Sequence, residues 1–360
     1  MIPIAKPLTD QEEIDAVSAV LRSGMIAQGP KVEEFESAFA EYTDTEFAVA
    51  LNSGTAALHT ALLAHGIGKG DEVITTPFSF IATANTVHYT GAIPVFADIE
   101  PDTYTINPEQ ILENITPKTK ALMPVHLYGH PAEMKAITEI AEDHELAVIE
   151  DACQAHGANY RGKKVGSFGT GAFSFYPTKN MTTGEGGMLT TDDRTVAEKA
   201  EMIRAHGSSR RYLHEVPGFN FRMTDIAAAI GLVQLGKIEG FNSSRQENAK
   251  KLTDALEDIS RLKTPVIKAG CSHVFHQYTI RTEKRDELAA FLKEKGIGTG
   301  IHYPMPIHKQ PVYQKSGYEE VYPAAEKAAC EVLSLPVHPG LSGDEVKQVV
   351  SGVREFYGTN

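Results

Sequence analysis

One lysine stands just past an apolar run in Ser174-Phe175-Tyr176-Pro177-Thr178-Lys179-Asn180, and a glycine cluster, Gly184-Glu185-Gly186-Gly187, follows it. The run 171–176 reads as a strand, so Lys179 belongs to the loop at its end, where the glycines let the backbone bend closely. In a partly desolvated site an ammonium loses part of its preference for the charged form. The neutral amine can then attack an aldehyde. A solvated loop lysine is the usual fate of this residue type, but it leaves the strand end and the glycines unexplained.

Two further segments carry candidate chemistry. In Val148-Ile149-Glu150-Asp151-Ala152-Cys153-Gln154, Asp151 ends an apolar run. Ligands of open α/β sheets bind outside the carboxyl ends of the strands, and a carboxylate there can keep a ring nitrogen protonated. A carboxylate that only caps the next segment fits the same residues. In Asn52-Ser53-Gly54-Thr55, between a strand and a helix, the first helical amides offer a place for a phosphate. A plain N-cap by Ser53 or Thr55 fits equally well.

The elements that must position these groups follow from hydrophobic patterning. Candidate strands are 46–52, 72–76, 93–98, 120–127, 146–152, 171–176 and 187–191. Several are continuously apolar, as expected of strands covered on both faces. Helical patterns at 55–65, 82–89 and 131–144 alternate with them, which predicts a mainly parallel sheet with helices on both faces. Helical stretches at 223–239 and 241–259 then lead to a change of pattern. The spacing predicts strands at 274–281 and 300–303 and helices at 284–295, 323–333 and 342–356, making a smaller α+β unit. The expected division is a large domain, 1–240, and a small C-terminal domain, 241–360.

The 360 residues suffice for two such units. Hydrophobic residues at 42% and charged residues at 22% lie near globular averages. The formal net charge of −13, with no Lys/Arg-rich run, argues against a nucleic-acid partner. Cys153, Cys271 and Cys330 are far apart and lack CxxC spacing, so neither a disulfide framework nor a metal site is expected. Residues 1–7 lack the pattern of a secretory signal and no apolar stretch is long enough to span a bilayer, which together with the cysteines gives a cytoplasmic expectation.

These motifs belong to a larger ordered set: Ser23-Gly24 with Gly29-Pro30, Asn52-Ser53-Gly54-Thr55-Ala56-Ala57-Leu58, Gly70-Asp71-Glu72-Val73-Ile74, Pro124-Val125-His126-Leu127-Tyr128-Gly129, Glu150-Asp151-Ala152-Cys153-Gln154-Ala155, Gly218-Phe219-Asn220-Phe221-Arg222-Met223, His302-Tyr303-Pro304 and Ser334-Leu335-Pro336. In order and spacing the chain resembles the DegT/DnrJ/EryC1/StrS family of nucleotide-sugar aminotransferases, which depend on pyridoxal 5'-phosphate. The resemblance implies fold type I, the aspartate-aminotransferase-like α/β fold with a seven-stranded large-domain sheet. It also implies a homodimer with active sites at the interface.

Position by position, the resemblance makes Lys179 the Schiff-base lysine and Asp151 the carboxylate on the pyridine nitrogen. Gln154 would reach the phenolic oxygen and Phe80 would stack on the ring. Gly54, Thr55 and Ser174 would cradle the phosphate, and Asn220 would contact the partner subunit's phosphate. His302, Tyr303 and His308, in a Pro-rich loop, are weighed evenly between substrate contact and a structural role. Arg222 is a candidate for the diphosphate or donor carboxylate; Arg210 and Arg211 fit surface or interface ion pairs better. A dehydratase branch carries histidine where Lys179 stands, so the aminotransferase branch fits better. The expected reaction moves an amino group from an amino acid, L-glutamate foremost, to a nucleotide-linked keto-sugar. A keto-cyclitol acceptor, or a regulatory or sensor protein on the same fold, is the alternative.

Overall fold

A computed structural model describes residues 1–358. Seven strands form one sheet: β1 (Phe47–Leu51), β2 (Glu72–Thr75), β3 (Ile93–Phe96), β4 (Thr119–Met123), β5 (Ala147–Asp151), β6 (Thr170–Ser174) and β7 (Gly187–Thr191). Their order is β1-β7-β6-β5-β4-β2-β3, parallel throughout except that β7 runs against both neighbours. The seven expected strands are all present: 187–191 is matched as expected, the others end one to four residues early, and those expected at 120 and 171 begin one residue sooner. Alternate side chains serve opposite faces, as the strand pleat requires. Phe173 and Met188 pack with Phe35 and Phe39 on one face, while Ala172 and Leu189 pack with Ala57 and Leu58 on the other. Six strands therefore end along one edge of the sheet, and Asp151 and Ser174 are the last residues of β5 and β6.

Helices α1 (Gln11–Ser23), α2 (Pro30–Thr43), α3 (Gly54–Ala64), α4 (Ala82–Tyr89), α5 (Met134–Asp143) and α6 (Arg194–Arg204) accompany the sheet. The N-terminus of α2 is closed from a distance. Gly29 has no side chain to cap it, and Asp225 instead accepts from the backbone N–H groups of Gly29 (2.8 Å), Lys31 (3.2 Å) and Val32 (3.1 Å). A Cβ on Gly29 would lie 2.8 Å from Asp225 Oδ2, so the approach needs glycine.

The expected helices 223–239 and 241–259 are one continuous helix, α7 (Asp225–Leu256). An interior glycine costs roughly 1 kcal/mol relative to alanine, too little to break a helix held at both ends. Gly236 and Gly240 face open space. Upstream, Ala228 and Ile238 are buried in the large-domain core; downstream, Ala249, Leu252 and Leu256 are buried with the C-terminal elements. The proposed division at residue 240 thus runs through a helix that serves both cores.

In the C-terminal part, β8 (Tyr278–Arg281) pairs antiparallel with β9 (Val332–Leu335), packed by α8 (Arg285–Glu294) and α10 (Gly343–Tyr357), while α9 (Pro323–Glu331) packs its buried alanines against Phe78, Tyr104 and Tyr128. Three expectations are corrected. Residues 274–277 are not strand but are stitched to Tyr128 and Gly129 by backbone bonds. Residues 300–303 make only a single bridge, Gly300 with Ser334, before prolines at 304 and 306 remove further donors. The helix expected over 323–333 stops at Glu331, and Val332 begins a strand whose cross-strand partners lie about fifty residues earlier.

Replacing Asp225 with alanine is expected to lower the unfolding free energy by about 1–3 kcal/mol, because three helix-start donors lose one acceptor together. Urea denaturation measures it, and an unchanged midpoint would contradict the capping role.

Candidate active site

Lys179 and Asp151 line one cleft of ≈ 380 Å³ at the carboxyl edge of the sheet. The lysine is placed by a tight turn after β6. Its backbone N–H donates to the Tyr176 carbonyl (2.8 Å), and the N–H of Thr183 and the hydroxyl of Thr182 both donate to the Phe175 carbonyl, at 3.0 and 2.9 Å. The side chain is half-buried. Desolvation lowers its pKa from the usual lysine value, against the opposing pull of Cys153 and Asp151. Asp151 is buried. Its Oδ2 accepts from the Thr83 hydroxyl at 2.7 Å, and its Oδ1 accepts from the Cys153 N–H at 3.2 Å. Thr83 is steadied in turn by Ser79 at 3.0 Å.

Helix α3 begins on the same cleft, with Gly54 packed against Ser174 and Cys153. Ser53 is its N-cap, accepting from the Ala56 N–H at 3.1 Å, so the plain capping reading holds for this residue. The amides of Gly54 and Thr55, the first two of the helix, have no helical acceptor, which leaves an anion-binding end directed at the cleft. Packing there is close. A Cβ on Gly54 would lie 2.6 Å from Ser174 Cβ, and one on Gly187 would lie 2.2 Å from the Ser53 carbonyl oxygen. Both glycines are needed for α3 to start against the ends of β6 and β7.

Phe80, a large apolar side chain, is left 55% exposed on the cleft wall. Gln154 accepts from the Tyr128 N–H (2.9 Å) and donates to the Tyr303 hydroxyl (3.1 Å). Tyr128 donates its own hydroxyl to the His302 carbonyl, and His302 Nδ1 is paired with the Ser334 hydroxyl at 2.9 Å. These bonds draw His302 and Tyr303 into the cleft. Burial lowers the His302 pKa to about 4, with Lys179 adding to the effect, and burial raises that of Tyr303.

Other candidates lie elsewhere. His308 is buried away from the cleft, with Nε2 3.0 Å from Glu326 and its ring against Tyr322 and Phe96. Asn220 and Arg222 are exposed and do not border this chain's cleft. Their segment lies beside β1, where the Asn220 carbonyl accepts from Asn52 Nδ2 at 3.3 Å. Arg210 and Arg211 sit in an exposed two-stranded hairpin. Sequence reasoning missed Thr83, whose contact with Asp151 spans 68 positions. It also missed Ile4, Ala5 and His276 on the cleft wall. The one available signal was the adjacent polar pair His276 and Gln277 inside the expected strand 274–281. Among the described residues no cluster of His, Cys, Asp or Glu suits a metal, and no helix is long and apolar enough to cross a membrane.

Residues 7–354 match the model of the DegT/DnrJ/EryC1/StrS aminotransferase family. A pleiotropic regulatory protein of Geobacillus stearothermophilus is 47% identical over 96% of this chain and 94% of its own. The dTDP-3-amino-3,4,6-trideoxy-alpha-D-glucose transaminase of Streptomyces venezuelae is 42% identical over 95% of this chain and 91% of its own. Among solved structures, S. venezuelae DesV in complex with a ketimine intermediate superposes with a TM-score of 0.95 at 41% identity, covering 99% of this chain and 100% of that one.

The buried histidines give a pH test. An unfolded imidazole takes up a proton near pH 6.5, whereas His302 and His130, both lowered by burial, stay neutral in the fold down to about pH 4. Their contribution to stability is complete above the unfolded value and is lost as pH falls through that window. The urea midpoint is expected to be lower at pH 5 than at pH 7, and the difference should shrink when His302 is replaced by glutamine.

Proposed function

The chain belongs to the DegT/DnrJ/EryC1/StrS aminotransferase family, and from that membership we propose that it transfers an amino group from an amino acid, L-glutamate foremost, to a nucleotide-linked keto-sugar, using pyridoxal 5'-phosphate held at Lys179 and Asp151. The acceptor class is supported by the sugar transaminase to which the chain is similar across nearly its whole length. The observation that carries the reading is one cleft with a desolvated lysine, a buried carboxylate, an exposed aromatic face and free helix-start amides.

Those residues fit the cofactor. The amides of Gly54 and Thr55, with Ser174 beside them, would hold its phosphate, and the lack of room for a Cβ at Gly54 keeps the helix start packed against Ser174. Phe80 offers a face for the ring, and Asp151 would sit at the ring nitrogen. Bound there, the cofactor would supply an electron sink for the charge left when the donor's α-carbon loses its proton.

The chain's own residues would do the rest. Asp151 favours a protonated ring nitrogen by charge attraction, and Thr83 and the Cys153 N–H keep its two oxygens aimed. Lys179 Nζ would be the base that takes the proton from the donor's α-carbon and hands it on to the cofactor. Its desolvation keeps a larger share of the amine in the basic form. Such a positioned proton transfer is worth roughly 10²–10⁴-fold. Gln154, which donates to the Tyr303 hydroxyl, would reach the ring's phenolic oxygen. The second half of the cycle reuses the same atoms in reverse, with the keto-sugar in place of the keto acid.

The reading includes a homodimer in which Asn220 serves the partner's phosphate site, supported by its exposure outside its own cleft. It also includes a cytoplasmic location, supported by three free cysteines. A Geobacillus relative bears a regulatory name; the intact lysine and carboxylate favour the enzyme.

Lys179→Ala is expected to abolish both half-reactions, followed as the change in cofactor absorbance on adding L-glutamate and then candidate keto-sugars. Substantial turnover by that variant would overturn the assignment.

A further inference from the structure

His276 borders the same cleft as Lys179, yet no function above uses it. The residue is 5% exposed, its Nδ1 is buried without a partner, and among the described residues its ring makes no hydrogen bond. The main chain fixes it in place. Val274 N–H donates to the Gly129 carbonyl at 3.1 Å and Gln277 N–H to the Tyr128 carbonyl at 3.2 Å. From α7, Arg245 Nη1 donates to the carbonyls of Phe275 (3.1 Å) and His276 (3.3 Å).

Arg245 is itself unusual. It is 4% exposed, its Nε has no partner, and among the described residues no carboxylate pairs with it. Burying a cation without a counter-charge is costly, and two carbonyl dipoles do not replace one. Behind the His276 wall the protein therefore holds a net positive charge, although the whole chain carries −13. Such an arrangement is completed by an anion arriving on the cleft side.

The identity of that anion follows from the positions already filled. On the aminotransferase reading the cofactor's phosphate would sit at Gly54 and Thr55, and its ring nitrogen at Asp151. A diphosphate needs an open mouth, and His276 is nearly sealed. A carboxylate is small, planar and able to accept two hydrogen bonds. In an amino-acid donor it is attached to the α-carbon that Lys179 Nζ must reach, so its acceptor site has to lie beside that lysine.

Resting on the reading of the cleft as an aminotransferase site, we propose that His276 binds the α-carboxylate of the amino-acid donor, with Arg245 as the positioning residue behind it. The buried, unpartnered Nδ1 is best left as a lone pair, which puts the ring N–H on Nε2, where it donates to the carboxylate. Burial, reinforced by Lys179 and Arg245, keeps the ring neutral, so it orients the carboxylate without competing for the α-proton. The keto acid carries the same carboxylate, so the subsite serves the first half-reaction in both directions. The nucleotide part of the acceptor does not use it.

The test compares His276→Leu, which removes the donor, with His276→Gln, which retains an N–H. Calorimetry on the holoenzyme follows binding of maleate, an unreactive dicarboxylate, and of dTDP. Single-turnover kinetics follow L-glutamate. His276→Leu is expected to weaken maleate and to raise the glutamate KM roughly tenfold or more, with dTDP binding unchanged, and His276→Gln is expected to recover most of the loss. Arg245→Lys, which keeps the charge, should retain maleate, and Arg245→Met with an unchanged circular dichroism spectrum should lose it. Unchanged maleate and glutamate constants in His276→Leu, or an equal loss of dTDP, would overturn the proposal. An inability of keto-sugars to accept the amine would overturn the acceptor assignment instead, and leaves the maleate and glutamate measurements to decide this one.

Discussion

Desolvation drives the Lys179 amine toward its neutral form, while Asp151 in the same cleft favours the charged one. Holding both within one small space, without letting them collapse into an ion pair, is the constraint on which the rest depends. The fold meets it by giving Asp151 other partners. One oxygen is taken by Thr83 and the other by the Cys153 N–H. The lysine is held by its backbone turn after β6, so the position of its side chain does not rest on the carboxylate.

That separation works only because the strand ends are brought very close. β5, β6 and β1 finish along one edge, with β7 starting among them. Two glycines, at 54 and 187, remove the side chains that would push α3 away. The result is a helix start bordering the cleft, whose wall also carries Phe80 and the carboxylate. A large exposed aromatic is expensive on a wet surface and useful on the wall of a ligand site.

The far wall belongs to the C-terminal part of the chain. Residues 274–277, the loop at 302–303 and Gln154 are joined through Tyr128. The continuous helix α7 reaches both halves: Asp225 at its start caps α2, and Arg245 in its C-terminal half clamps the carbonyls beside His276. Two cores thus share one rigid element, and the cleft lies where they meet.

Short β-rich runs, several of them continuously apolar, were enough to place the seven strands, because a strand covered on both faces is apolar along its length. Lys179 and Asp151 stood out for a related reason: Asp151 ends such a run and Lys179 lies in the loop after one, where the α/β sheet presents its ligands. Local pattern did not reveal that Gly240 would sit inside an unbroken helix, that 300–303 would leave the sheet, or that His308 would be buried on Glu326. Nor did it show Thr83 on Asp151 or Arg245 behind His276. Those outcomes depend on which distant segments meet. Their energies come from burial and hydrogen bonds across many positions, whereas periodicity records only what a residue's near neighbours require.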